Sequence, residues 1–213
     1  MLRFHDGSIA SATLAVLCLS GCSGVETTEG HDLMDRSFAV GWKKAAFEGG
    51  GEPRVENGRL LLPAGDNLTG AVWTGELPSG DYEIALEAMR VEGSDIFCGL
   101  TFPVAGSHAS LILGGWGGGI CGISSIDGMD ASENGTTTVR DFENGKWYPV
   151  RLRVSGGWIE AWVGDERIVH VEAQGRRLDT RYEMRLAKPL GLASWRTTAA
   201  VRNVWWRRVE RRG

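Results

Sequence analysis

The chain has 213 residues, with 23 Lys and Arg against 27 Asp and Glu for a net charge of −4. That length suffices for one domain with a full core. The mildly acidic balance excludes the basic footprint of a nucleic-acid binder, so no nucleic-acid partner is expected.

In chain order, Arg3 precedes an apolar, small-residue run over 9–19. The run is too short for an ordinary transmembrane helix and has the character of a signal h-region. It ends in Leu19-Ser20-Gly21-Cys22, which resembles a bacterial lipobox. The resemblance implies cleavage after residue 21 and acylation of Cys22. Several acyl chains on one cysteine exceed what durable anchoring needs. The expected location is therefore the bacterial cell envelope, with the membrane reached through a lipid anchor. The alternative is an ordinary secretory signal with a chance cysteine. Residues 22–37 are polar and unpatterned and read as a tether, which would place His31 outside the domain.

From residue 38 to 210 the pattern is of period two. Tyr82, Ile84, Leu86 and Ala88 alternate with Glu83 and Glu87, Val150, Leu152 and Val154 with Arg151 and Arg153, and Ile159, Ala161 and Val163 with Trp158, Glu160 and Trp162. Turn signals stand between the runs at Asn57-Gly58, Ser79-Gly80, Asn144-Gly145, Gly156-Gly157 and Gly164-Asp165. Half-buried strands broken this often predict an all-β domain, a two-sheet antiparallel sandwich of about twelve strands. Residues 211–213, following Arg207 and Arg208, read as a solvated basic tail.

The stretch LILGGWGGGICGISSIDGMDASENG (111–135) sets one tryptophan among glycines and follows it with three spaced acids. Residues 117–122 spell GxGxxG, but no helix signal follows and no βαβ unit surrounds it, so a dinucleotide loop is excluded. The spacing predicts strands over 95–103, 109–114 and 119–125, with Trp116 at the tip of the second hairpin. Trp116 could present an open indole face for sugar stacking, or fold down as a lid on the sheet edge. Asp127, Asp130 and Glu133 could bond sugar hydroxyls, hold a loop calcium, or form a solvated loop of Asx turns. Their spacing does not match an EF-hand. No cofactor and no further metal is indicated.

Cys98 and Cys121 remain once Cys18 and Cys22 are accounted for. With Cys98 opposite Leu113 and Cys121 beside Gly114, the two fall two strands apart on opposite pleat faces, beyond the reach of a disulfide. Two buried thiols are expected.

Glycoside hydrolysis needs two carboxylates about 5–5.5 Å apart, or roughly 6.5–9.5 Å apart for inversion. Glu160, between Trp158 and Trp162, is a weak catalytic candidate, with Asp127 and Glu133 the others; Trp162 could line a sugar cleft. Glu160 could equally pair with Arg151 or Arg153 across the strands.

The segments ENGRLLLP (56–63), GKWYPVRLRV (145–154), WIEAWVGDERIV (158–169) and PLGLASWRTTAAVRNVWWRRV (189–209) resemble the concanavalin A-like lectin/glucanase jelly roll. More narrowly, they resemble a bacterial domain family labelled 3-keto-disaccharide hydrolase. The resemblance implies a carbohydrate partner. The glucanase Glu-x-Asp-x-x-Glu strand is absent, so it assigns no catalytic residue. A binding module, a hydrolase of modified disaccharides and a scaffolding lipoprotein all remain open.

Overall fold

In the computed structural model, residues 30–34 and 41–210 are described. The segment expected to be a signal peptide, Cys22, most of the expected tether and the tail at 211–213 lie outside them. Fifteen strands are present among the described residues: β1 (His31–Asp32), β2 (Trp42–Lys44), β3 (Arg54–Glu56), β4 (Arg59–Leu62), β5 (Leu68–Trp73), β6 (Tyr82–Glu92), β7 (Cys98–Val104), β8 (Ser107–Gly115), β9 (Ile120–Ser124), β10 (Thr138–Val139), β11 (Trp147–Ser155), β12 (Trp158–Val163), β13 (Glu166–Glu172), β14 (Gly191–Trp195) and β15 (Thr198–Arg208). The excess over about twelve comes from two- and three-residue pairings such as β1 and β10, too short to leave a periodic signal.

Two antiparallel sheets stack as a jelly-roll sandwich. One runs β13-β12-β11-β6-β15-β4-β3, with β1 added on β15; the other runs β10-β9-β8-β7-β14-β5-β2. Tyr82, Ile84, Leu86, Val150, Leu152 and Val154 all enter the shared core, as their alternation requires. Three of the five turn signals, Asn57-Gly58, Gly156-Gly157 and Gly164-Asp165, are two-residue hairpin turns. At Asn57-Gly58 both φ angles are positive (52° and 72°), the conformation that matches strand twist.

His31 is not in a free tether. It pairs with Trp206 in register and stacks on that indole at 4.2 Å, so the fold begins before residue 38. A 3-10 turn, Tyr182–Ala187, lies in a stretch without helical periodicity.

The β7–β8 register is the expected one, with Cys98 opposite Leu113 and Pro103 opposite His108. The pleat assignment of the cysteines is not. A bulge between Ile112 and Gly115 shifts β9 by one residue, so Cys121 faces the same core as Cys98. Both are buried free thiols, because the strand separation does not depend on parity. Burial pushes the Cys98 thiol up to about 12 and raises Cys121 as well. The thiolate is the nucleophile, so in the native protein neither cysteine should take up iodoacetamide at mildly alkaline pH. Both should react once the chain is unfolded in denaturant. Peptide mapping that found either one alkylated in the folded state would contradict this packing.

Candidate functional site

The site lies on the outer face of the seven-stranded sheet. There β5, β14 and β8 present Leu68, Ala193 and Ile112, turned away from the main core. Part of this face is covered. The 3-10 turn lays Met184 and Ala187 on Leu68 and Ala193 in a small apolar cluster, leaving an open cavity of ≈ 180 Å³ beside it. Its floor is Leu68, Ile96, Ile112 and Met184; its walls are Trp116, Trp195, Asp95, Arg181 and Glu183.

Trp116 stands at the β8–β9 tip with φ +50° and 42% of its surface exposed. It forms one edge of the cavity. The surrounding glycines answer to close approach. A Cβ on Gly114 would lie 2.9 Å from the Phe97 ring, and one on Gly118 2.9 Å from the Ser94 carbonyl oxygen. Both also have positive φ (71° and 117°), a region that disfavours side chains. The tip is held from two sides. The Gly117 N–H donates to Asp95 Oδ2 (3.3 Å), and buried Arg90 donates to the Gly118 carbonyl (3.4 Å). Arg90 also donates to Asn144 Oδ1 (2.7 Å) and to the Phe142 carbonyl, so it spans β6 and the loop before β11.

Arg181 connects the cavity to the acidic loop. Its guanidinium lies 5.8 Å from the Trp116 ring centroid and donates to Asp130 and to Glu183 (3.3 Å). The Arg181 hydrogen bond holds the Glu183 carboxyl below its ordinary range. Burial opposes charge on Arg181, but its bond to Glu183 and the charges of Asp130, Glu183 and Glu133 outweigh that and raise its pKa. Asp95 is different. Its carboxylate accepts the Ile96 N–H (2.8 Å) and the Gly117 N–H, and no cation pairs with it among the described residues.

The structure thus brings Trp116 and Asp130 to one end of the sandwich and leaves the other sequence candidates apart. Asp127 turns to Arg176 (2.6 Å) and the Arg177 N–H (2.8 Å), the latter holding its pKa down. Glu133 is exposed at a turn closed onto the Asp130 carbonyl. The described residues contain no group of three His, Cys, Asp or Glu able to hold a metal ion. Glu160 and Trp162 lie on the outer face of the other sheet, away from Trp116. Glu160 pairs with Arg167 (2.9 Å), not with Arg151 or Arg153, because β13 carries the nearer guanidinium. Arg151 instead stacks 4.0 Å over Trp162.

Asp95, Arg181, Glu183 and Trp195 were not read from the sequence as site residues. Each comes from a different element than Trp116, and only sheet order and the placement of the 3-10 turn join them. The one local signal was Asp95 at the head of a predicted strand.

A family model described as a 3-keto-alpha-glucoside-1,2-lyase-like domain matches residues 29–207. No curated protein matches the chain. Among solved structures, a Bacillus subtilis protein with a galectin-like fold is similar at 13% identity and TM-score 0.59, covering 86% of this chain and 96% of that one. A β-glucanase of Bacillus licheniformis is similar at 8% identity and TM-score 0.53, covering 86% and 98%. The carbohydrate-binding module CBM66 of Bacillus subtilis is similar at 12% identity and TM-score 0.50, covering 78% and 95%. At such identities the likeness is one of fold.

Proposed function

The chain belongs to the family of 3-keto-alpha-glucoside-1,2-lyase-like domains, and from that membership we propose that its jelly roll recognises carbohydrate, with a sugar ring seated on Trp116. The observation that carries this reading is a large aromatic held in a strained backbone conformation at the edge of a cavity. Sugar rings carry apolar C–H patches that stack on such a face, while carboxylates and guanidinium groups fix the hydroxyls. The cavity offers both kinds of group. A glycan array on the protein, followed by calorimetric titration of the hits, tests it. Binding to no glycan would overturn the reading.

Asp95 favours a second reading, in which the site also processes its sugar. A ketone at C3 acidifies the hydrogen on C2. A base there can take that proton, and the electron pair left behind expels the C1 substituent by 1,2-elimination. Glu183 is engaged by Arg181, so Asp95 is the carboxylate available as base. Release of the C1 substituent from a 3-keto glucoside, lost in Asp95→Asn, is the expected sign. A hydrolase of the same sugars would instead put water at C1.

We also propose that the domain is tethered at the bacterial envelope through Cys22. No other thiol stands at the lipobox position, so Cys22→Ala should leave an uncleaved or mis-sorted precursor. If wild type and variant both mature and appear in the soluble envelope fraction, the tether is wrong. Among the described residues no helix is long and apolar enough to cross a membrane.

A further inference from the structure

The cavity's charges are unevenly matched. Arg181, its one lining cation, is already shared between Asp130 and Glu183, with Glu133 near enough to raise its pKa further. Arg185, the next cation along, is turned onto the Tyr182 ring at 3.6 Å. Arg90 spends its donors beneath the hairpin, on Asn144, the Phe142 carbonyl and the Gly118 carbonyl. Asp95 is left with backbone N–H donors only, on the cavity wall and bonded to the residue next to Trp116.

We infer that the site selects a sugar bearing a free, protonated amine, with the ammonium group on Asp95 and the ring against Trp116. This rests on the reading of the cavity as a sugar site and narrows its substrate class. An ammonium group would supply the charge that Asp95 lacks, through hydrogen bonds stronger than those a hydroxyl makes. It would also sit beside an indole face, which attracts cations. A uronate or a phosphorylated sugar would bring further negative charge against Asp95, Asp130 and Glu183. An N-acetylated sugar would lose the charge and add bulk.

The test is calorimetric titration of the full chain with four disaccharides: the β-1,4 dimer of glucosamine, its di-N-acetyl form, cellobiose, and cellobiose carrying a uronate. The glucosamine dimer should bind about tenfold tighter than cellobiose at low salt, and most of that advantage should vanish at ~1 M salt, where charges are screened within a few ångströms. The uronate should bind worst. Asp95→Asn keeps an acceptor for the Gly117 N–H but removes the charge; it should lose the preference for the amine, its affinity for the glucosamine dimer falling to its own affinity for cellobiose. Equal affinity for amine and neutral dimers, or a preference that survives Asp95→Asn, would overturn the amine selection and leave the sugar site standing. Binding of none of the four, with Trp116→Ala no different, would remove the sugar site as well.

Discussion

Replacing Trp116 with alanine is expected to weaken saccharide binding by about 1–3 kcal/mol, roughly 5- to 150-fold in Kd, while hardly moving the melting temperature. The affinity figure is the scale of covering a large apolar side chain. The unchanged melting follows from exposure: with 42% of its surface open, Trp116 contributes little packing to lose. Its backbone sharpens the test. At φ +50° a residue with a Cβ is strained by roughly 1 kcal/mol. Trp116→Gly should therefore melt slightly higher than the wild type and bind as poorly as the alanine variant. A lid over the sheet edge would behave in the opposite way, with both variants melting several degrees lower. A variant that is destabilised yet binds normally per folded molecule would sink the stacking role.

How far the sequence carries differs between fold and site. The alternation in β6, β11 and β12 is a local signal, and each strand's core face could be read from it alone. Hairpin registers were legible where a short turn links neighbours, as at Cys98 opposite Leu113. They failed at the β8–β9 bulge, because Gly114 and Gly115 allow an extra residue that leaves no trace in periodicity. The site was legible only at its tip. Trp116 announced itself by its glycine surroundings. Asp95, Arg181, Glu183 and Trp195 meet it because β14 pairs with β7 and the 3-10 turn crosses the sheet, and those relations are non-local. The Trp158-Glu160-Trp162 row misleads for a related reason: a polar face looks the same in sequence whether it borders a cleft or carries ion pairs such as Glu160–Arg167.

Phe97→Ala is expected to cost about 3–5 kcal/mol of folding stability, the largest single effect of any change considered. Phe97 is fully buried. Its ring meets Phe142 edge-on at 4.8 Å and Tyr148 at 6.2 Å, and the Arg90 guanidinium lies 5.9 Å from its centroid. Removing it would open a void under three partners fixed by different elements, where collapse is hard. The position also bears on the site. Ile96 lines the cavity while Phe97, one residue on, points into the core, and the absent Cβ of Gly114 is what lets the ring approach the base of the Trp116 hairpin. The ring is thus the footing of the hairpin. In denaturant unfolding, Phe97→Ala should lose a large share of a stability that typically totals about 5–15 kcal/mol. Phe97→Leu, which refills most of the space, should lose less than half as much. Under conditions where the alanine variant remains folded, its sugar affinity should also drop, because the tip no longer rests on a filled core. A loss below about 1.5 kcal/mol, or full affinity in the folded alanine variant, would show that the hairpin is held by Arg90 and Asp95 without the ring.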